Sequence, residues 1–501
     1  MSAAAIDPDD QAYALLEQGR LDDALAAIEP HARRANAPHH ELAAYAAVLK
    51  ALGRRDDALA VYLRAVAIDP RSGVAEHNLA ALQGDMNQYA AAEASARRAF
   101  AKGLQAPETW LVLARAIQGQ GRNDEAEAAY RRALAMQPAM ADAHRELAQL
   151  IWMRDEDVTA AAATLREAVA AFPADPVLAL QLAKALQYGG RKDEAYAVLL
   201  DGIGRSAVIQ PMLESAASIL AGELGKGVAA VNHAERGLSV APEDVALSIN
   251  ACDAQLGVGR AGLAARIAEG LHQREPDEQQ VIARLATAWR MMDDPRYRAL
   301  YDYGAMVQGW TIDTPKGWPD LAAYLADLAT ALRAAHTVTG HPFEQSLRQG
   351  SQTHADLVIS EDPAIRAFFQ AIDGPIRRHM AWIGEGSDDL RRRNTGEYRI
   401  QGAWSVRLRP GGYHVDHVHP RGWLSSACHI ELPPSAQGEG REGWLKFGEP
   451  GIPTQPPMGA EHFVRPEPGR LVLFPSYMWH GTVPFSGEAE RLTIAFDIVP
   501  G

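Results

Sequence analysis

The sequence predicts an α+β chain of two parts, an all-α solenoid followed by an antiparallel β-barrel with flanking helices. Three observations predict it. Glycines and prolines recur on a beat of about 34 residues through the first 295 positions, then the beat stops, and from about residue 397 short alternating segments punctuated by Gly and Pro take over. A chain of 501 residues is also too long for one ordinary core. The boundaries read from this texture are a solenoid over 9–295 and a second domain over 296–501, itself divided into a helical lead-in over 296–395 and a barrel core over 397–500.

In the first part, Gly53-Arg-Arg-Asp-Asp-Ala58, Gly121-Arg-Asn-Asp-Glu-Ala126 and Gly190-Arg-Lys-Asp-Glu-Ala195 are versions of one phrase, with glycines 68 and 69 residues apart. Gly19 precedes Gly53 by 34, and Asn87 falls on the intermediate beat. Pro70, Pro138, Pro173, Pro242 and Pro276 keep the same rhythm. A period of 34 with helical hydrophobic spacing is that of the tetratricopeptide repeat, and the match holds position by position. Ala46, Leu49, Gly53, Ala58, Tyr62 and Ala65 stand where that repeat places its small residues, turn glycine and aromatic; Ala114, Ile117, Gly121, Ala126, Tyr130, Ala133 and Pro138 do so again. The alanines let paired helices approach, and the proline closes each unit. About eight units are expected, the weakest near 205–240. Such a solenoid implies a peptide or protein partner, and its charged residues read as solvated helix faces.

Between 296 and 395 the period is lost. Leu321 to His336 and Pro363 to Trp382 have the spacing of amphipathic helices suited to the outside of a sheet. His341 to Thr353 reads as a polar loop, with a strand and turn at the mouth of a site as the alternative. Eight strands follow: Tyr398–Arg409, Tyr413–His419, Trp423–Leu432, Gly443–Phe447, Glu461–Val464, Arg470–Phe474, Gly481–Phe485 and Arg491–Val499. Eight short strands after helices predict a double-stranded β-helix, or jelly roll.

Composition narrows the function. A net charge of −14 argues against a general nucleic-acid binder. Cys252 and Cys428 are the only cysteines, so no disulfide framework or cysteine zinc site is implied. The N-terminus lacks a signal pattern, and no apolar run approaches the roughly 18 residues of a membrane span. These features are expected of a cytoplasmic protein without a membrane partner. Nothing in them indicates an oligomeric state.

The densest chemistry lies in Tyr413-His-Val-Asp-His-Val-His-Pro420, three histidines and an aspartate within eight residues. On a strand, residues two apart share a face, so His414/Asp416 and His417/His419 form alternative metal pincers on opposite faces. The apolar run Leu471–Trp479 ends in His480, the natural third ligand. Two ligands from one strand and a third from a distant one is the layout of the facial triad of non-haem iron oxygenases.

The phrases Gln345-Ser-Leu-Arg, Ala403-Trp-Ser-Val-Arg-Leu, Gly411-Gly-Tyr-His, His417-Val-His-Pro, Gly422-Trp-Leu-Ser, Phe474-Pro-Ser and Glu490-Arg-Leu-Thr-Ile-Ala-Phe-Asp resemble the bacterial 2-oxoglutarate- and Fe(II)-dependent oxygenases. The resemblance implies Fe(II) and 2-oxoglutarate as cofactors, His417 as first ligand and His480 as distal ligand. His419 then stands where most of the superfamily has a carboxylate, and Asp416 is the alternative third ligand. A comparable replacement, by glycine, occurs in the aspartyl/asparaginyl β-hydroxylases, which also join tetratricopeptide repeats to an oxygenase domain. Arg491, eleven residues beyond His480, and Thr493 match the pair that takes the far carboxylate of 2-oxoglutarate, for which a planar guanidinium gives a two-pronged grip.

The function these readings imply is a dioxygenase that hydroxylates a peptide or protein side chain recruited by the solenoid. The competing readings are an interaction scaffold with a non-catalytic barrel, and a cupin-like metalloenzyme that needs no 2-oxoglutarate. The repeats are expected to recruit substrate without building the site.

Overall fold

The computed structural model describes residues 7–501. Its chain forms two compact units, one ending at Leu150 and one running Ile151–Gly501. Helices come in antiparallel pairs from Pro8–Glu17 with Leu21–Ala32 onward to Val245–Gly257 with Ala261–Arg274, and a last helix, Gln279–Met291, closes the series. The turn within each pair depends on one residue with positive φ. Gly19, Gly53, Asn87, Gly121, Glu156, Gly190, Gly225, Gly259 and Asp293 all hold φ between 54° and 82°. Glycine adopts that region freely, and Asn and Asp tolerate it. This explains why the 34-residue beat survives at Asn87, where the glycine is missing. Ala24, Ala58, Ala92, Ala126, Ala161, Ala195, Ala230 and Ala264 recur on the same beat, each fully buried where a larger side chain would force the paired helices apart.

The second unit combines the later repeats with the barrel. Nine strands are described: β1 (Gln308–Thr311), β2 (Leu347–Gln352), β3 (Tyr398–His414), β4 (Leu424–Glu431), β5 (Leu445–Phe447), β6 (His462–Val464), β7 (Arg470–Pro475), β8 (His480–Thr482) and β9 (Arg491–Pro500). They make two antiparallel sheets, one of six strands in the order β1-β7-β4-β9-β3-β2 and one of three in the order β6-β5-β8. Helices Leu321–Ala335 and Pro363–Ile383 bury their apolar faces in the same core as the larger sheet. That arrangement is the expected jelly roll with flanking helices. No helix among the described residues is long and apolar enough to cross a membrane.

Two expectations need correction. The segment His341–Thr353 is not a plain loop, because Leu347–Gln352 pairs with β3 as an edge strand. Its polar side chains face a cavity, so the apolar alternation that marks a strand is absent. The predicted strand Tyr413–His419 also does not exist as such. Strand β3 runs through to His414, the chain bends at Asp416, and His417 then pairs with His480 through a single bridge.

The later repeats brace the barrel. Trp479 Nε1 donates to Thr287 Oγ1 at 2.9 Å, its ring lies under the Arg284 guanidinium, and its backbone N–H donates to Tyr301 Oη at 3.0 Å. Arg290 donates to the carbonyls of Gly448 and Gly459, and the Gln455 N–H donates to the Leu256 carbonyl. Ile282, Ala283 and Ala286 of the last repeat helix belong to the barrel's own hydrophobic core. The solenoid end therefore fixes the residue immediately before His480. Replacing Thr287 by Val strands a buried indole N–H, and should lower stability by roughly 1–3 kcal/mol. Denaturant unfolding followed by tryptophan emission checks this, with Thr287→Ser, which keeps the hydroxyl, expected close to the parent chain.

Candidate metal centre

The residues around Asp416 set the site's geometry. His417 and His480 exchange both backbone hydrogen bonds, His417 N–H to the His480 carbonyl at 2.9 Å and His480 N–H to the His417 carbonyl at 3.1 Å. This pairing sets their rings side by side, with centroids 4.2 Å apart. Two residues on, the His419 N–H donates to the Ser476 carbonyl, which brings a third ring against the first two. One ligand-type nitrogen from each of His417, His419 and His480 lies within 4.8 Å of the others.

Which nitrogens converge follows from hydrogen bonding. His417 Nδ1 lies 2.9 Å from the Val415 carbonyl and His480 Nδ1 2.9 Å from the Met478 carbonyl. A carbonyl only accepts, so both Nδ1 atoms carry the proton and both Nε2 atoms present a lone pair. His419 Nδ1 stands 2.8 Å from the Asp497 carboxylate oxygens, which fixes the same tautomer. The result places the Nε2 atoms of His417 and His419 3.2 Å apart, lone pair toward lone pair. Such a contact is repulsive unless a cation is shared between the rings. Imidazoles each held at Nδ1 by an acceptor and open at Nε2 are the donor set of a metal site. Burial above all, and His419 next, lower the His417 pKa to about 3, so this ring stays neutral and available.

The other predicted residues are placed as follows. Asp416 points away from this cluster: its Oδ2 accepts from Lys446 Nζ at 2.7 Å, while Lys446 also pairs with Glu449. Burial raises its pKa to about 6 despite that partner. Asp416 is wedged between glycines, since a Cβ on Gly451 would stand 1.8 Å from its carbonyl oxygen and one on Gly481 would stand 2.7 Å from its Oδ1. His414 does not lie on a separate face. The bend at Asp416 resets the alternation, and the ring, held by Ser346 Oγ at 2.9 Å, lines the same cavity as the other three histidines.

That cavity has a volume of about 700 Å³. Arg491 and Thr493, from β9, line it too. Arg491 is 2% exposed and has no carboxylate partner among the described residues. Its Nη1 donates to the Gly443 carbonyl at 2.9 Å and its Nη2 to His429 Nδ1 at 3.3 Å, while Nε has no partner at all. Burial lowers its pKa to about 10. Gln187, Tyr188, Lys192 and Glu223 of the repeats form part of the wall, contrary to the expectation that the repeats stand apart from the site. Sequence reading assigned no part to His429, Asp497, Ser346 or Tyr188. Of these, Ser346 and Asp497 carried a signal, Ser346 within the phrase Gln345-Ser-Leu-Arg and Asp497 as the last residue of the motif containing Arg491.

Close packing at Gly481 gives a test of this geometry. In Gly481→Ala the added methyl would lie 2.7 Å from Asp416 Oδ1 and 2.8 Å from the His414 carbonyl oxygen, so the strand carrying His480 must shift. Uptake of Co(II), followed by its visible absorption, should weaken about tenfold or more.

Residues 402–497 match a family described as "Putative 2OG-Fe(II) oxygenase", and residues 111–176 match one described as "Tetratricopeptide repeat". No curated protein matches the sequence. Solved structures similar to the chain include a tetratricopeptide repeat protein from Parabacteroides merdae, at 14% identity over 49% of this chain and 96% of that one, with TM-score 0.35. MamA from Desulfovibrio magneticus RS-1 is 19% identical over 34% of this chain and 98% of that one, with TM-score 0.29. YrrB, titled a TPR protein with an unusual peptide-binding site, is 15% identical over 33% of this chain and 84% of that one, with TM-score 0.25. The chain thus joins tetratricopeptide repeats to a C-terminal domain that matches the 2-oxoglutarate/Fe(II) oxygenases.

Proposed function

We propose that the protein is a 2-oxoglutarate- and Fe(II)-dependent dioxygenase that hydroxylates a side chain of a peptide or protein held between its repeats and its barrel. The single observation that carries the reading is Arg491, a buried guanidinium with an idle Nε–H and no carboxylate partner, opening into the cavity that holds three converging imidazoles. A buried charge without a counter-charge is costly, and a dicarboxylate reaching from the histidines to Arg491 would supply one.

In this reading His417, His419 and His480 hold the iron, and Arg491 with Thr493 holds the far carboxylate of 2-oxoglutarate. When bound, the iron supplies the oxidation: oxygen and 2-oxoglutarate give succinate and carbon dioxide, with one oxygen atom passing to a substrate C–H bond. His429 accepts from Arg491 and so aims the guanidinium. Asp416 pairs with Lys446 at the bend before His417 and takes no part in holding the metal. The wall contributed by Gln187, Tyr188, Lys192 and Glu223 supports a substrate long enough to touch repeats and barrel together. The three neutral ligands, the pocket cation and the family match together favour this reading over a non-catalytic barrel.

The test compares four variants with the parent chain under Fe(II), 2-oxoglutarate and oxygen. His419→Ala should lose metal and succinate formation, and Asp416→Ala should keep most of both. Arg491→Lys should retain iron but weaken 2-oxoglutarate binding by roughly tenfold to a hundredfold, for loss of about 1.5–3 kcal/mol of charge-assisted hydrogen bonding. Tyr188→Ala should leave substrate-free succinate formation unchanged, while a proteome-wide search for a mass gain of one oxygen shows the product peptides diminished. Iron retained in His419→Ala and lost in Asp416→Ala would refute the ligand set, and an unaltered 2-oxoglutarate requirement in Arg491→Lys would refute the anchor.

A further inference from the structure

A facial triad with a carboxylate brings one negative charge to the iron, and a set of three neutral imidazoles brings none. The missing charge stands one side chain farther out. Both carboxylate oxygens of Asp497 lie 2.8 Å from His419 Nδ1, on the side of the ring away from the converging nitrogens. The surroundings hold that carboxylate in place. Ser425 Oγ donates to Asp497 Oδ1 at 2.8 Å and itself contacts Ser476 Oγ at 2.9 Å, and the pair is fully buried. Gly422 leaves the room they need, because a Cβ there would stand 2.2 Å from Ser476 Oγ and 3.6 Å from Asp497 Cγ. Asp497 has no Lys or Arg partner among the described residues.

His417 and His480 differ from His419 in this respect. Their Nδ1 protons go to neutral carbonyls, whereas that of His419 goes to a carboxylate. The one histidine that occupies the usual carboxylate position is therefore the one backed by a carboxylate. We propose that Asp497 supplies, through the His419 ring, the negative charge that this centre's own ligands lack, and that it is a positioning residue and not a ligand. The proposal rests on the metal centre proposed above. With a divalent ion and a bound 2-oxoglutarate dianion, the group then carries one net negative charge, as it would with a directly bound carboxylate. A carboxylate hydrogen-bonded to a metal-bound imidazole makes that ring a stronger donor and fixes its tautomer.

This account has a signature that a merely structural role would not give. Asp497→Asn removes the charge and keeps one acceptor oxygen, which at the Oδ1 position can serve both His419 and Ser425, while the other oxygen becomes an amide NH2. In an anaerobic titration of the full chain with Fe(II), its affinity should fall by roughly tenfold to a hundredfold, while the unfolding midpoint stays at the parent value. With Fe(II) saturating, binding of the 2-oxoglutarate dianion should be unchanged or tighter, because the centre has become more positive. Ser425→Ala, which keeps the charge and removes one hydrogen bond to it, should bind Fe(II) within about threefold of the parent, since the carboxylate keeps both its charge and its contact with His419 Nδ1. The proposal is overturned if Asp497→Asn binds Fe(II) as tightly as the parent, if both Fe(II) and 2-oxoglutarate weaken together, or if Ser425→Ala loses as much as Asp497→Asn. A parent chain that takes up no Fe(II) removes the centre itself, an outcome read in the parent arm alone.

Discussion

Three imidazole lone pairs turned toward one another are the constraint on which this structure depends. Each ring is committed at Nδ1, two to backbone carbonyls and one to Asp497, so each can offer only Nε2 to the space between them. Burial keeps His417 and His480 from relieving the crowding by taking protons, because a charged imidazole there loses its hydration. A metal ion would satisfy all three at once.

The rest of the second unit can be understood as the support of that cluster. The backbone pairing of His417 with His480 joins the two segments that carry ligands, and the bend at Asp416, pinned by Lys446 and by close-packed glycines, lets the chain leave β3 and enter the site. Trp479, next to His480, is held by Thr287 and Tyr301, one in the last repeat helix and the other just beyond it. A repeat stack usually contacts only its neighbours. Here its end is built into the core of the barrel, and its side chains face the cavity. Recognition of a macromolecule and the chemistry at the centre would then share one wall.

Much of this was legible from sequence because it rests on local rules. The repeat beat follows from positive-φ turns and from alanines at helix crossings, both fixed by steric demands on single residues, and the jelly-roll strands follow from alternation. The site was legible in part. His417, His419 and His480 come together as a cluster, yet the expected faces were wrong, because a strand that bends at Asp416 no longer alternates and His414 returns to the same cavity. The edge strand Leu347–Gln352 was read only as the alternative to a loop, since a strand facing a polar cavity has no apolar face to show. The contribution of Tyr188 and the backing of His419 by Asp497 are contacts between residues far apart in sequence, and no local pattern encodes them.

The central claim is that three histidines and Arg491 together form a site for ferrous iron and a 2-oxo acid. The most direct measurement is the visible charge-transfer absorption that arises when a 2-oxo acid chelates protein-bound Fe(II) under anaerobic conditions. The account predicts that the band appears on adding 2-oxoglutarate to the iron-loaded full chain, saturates at one equivalent per centre, and requires a higher 2-oxoglutarate concentration in Arg491→Lys. Iron uptake with no band at any 2-oxoglutarate concentration would contradict it.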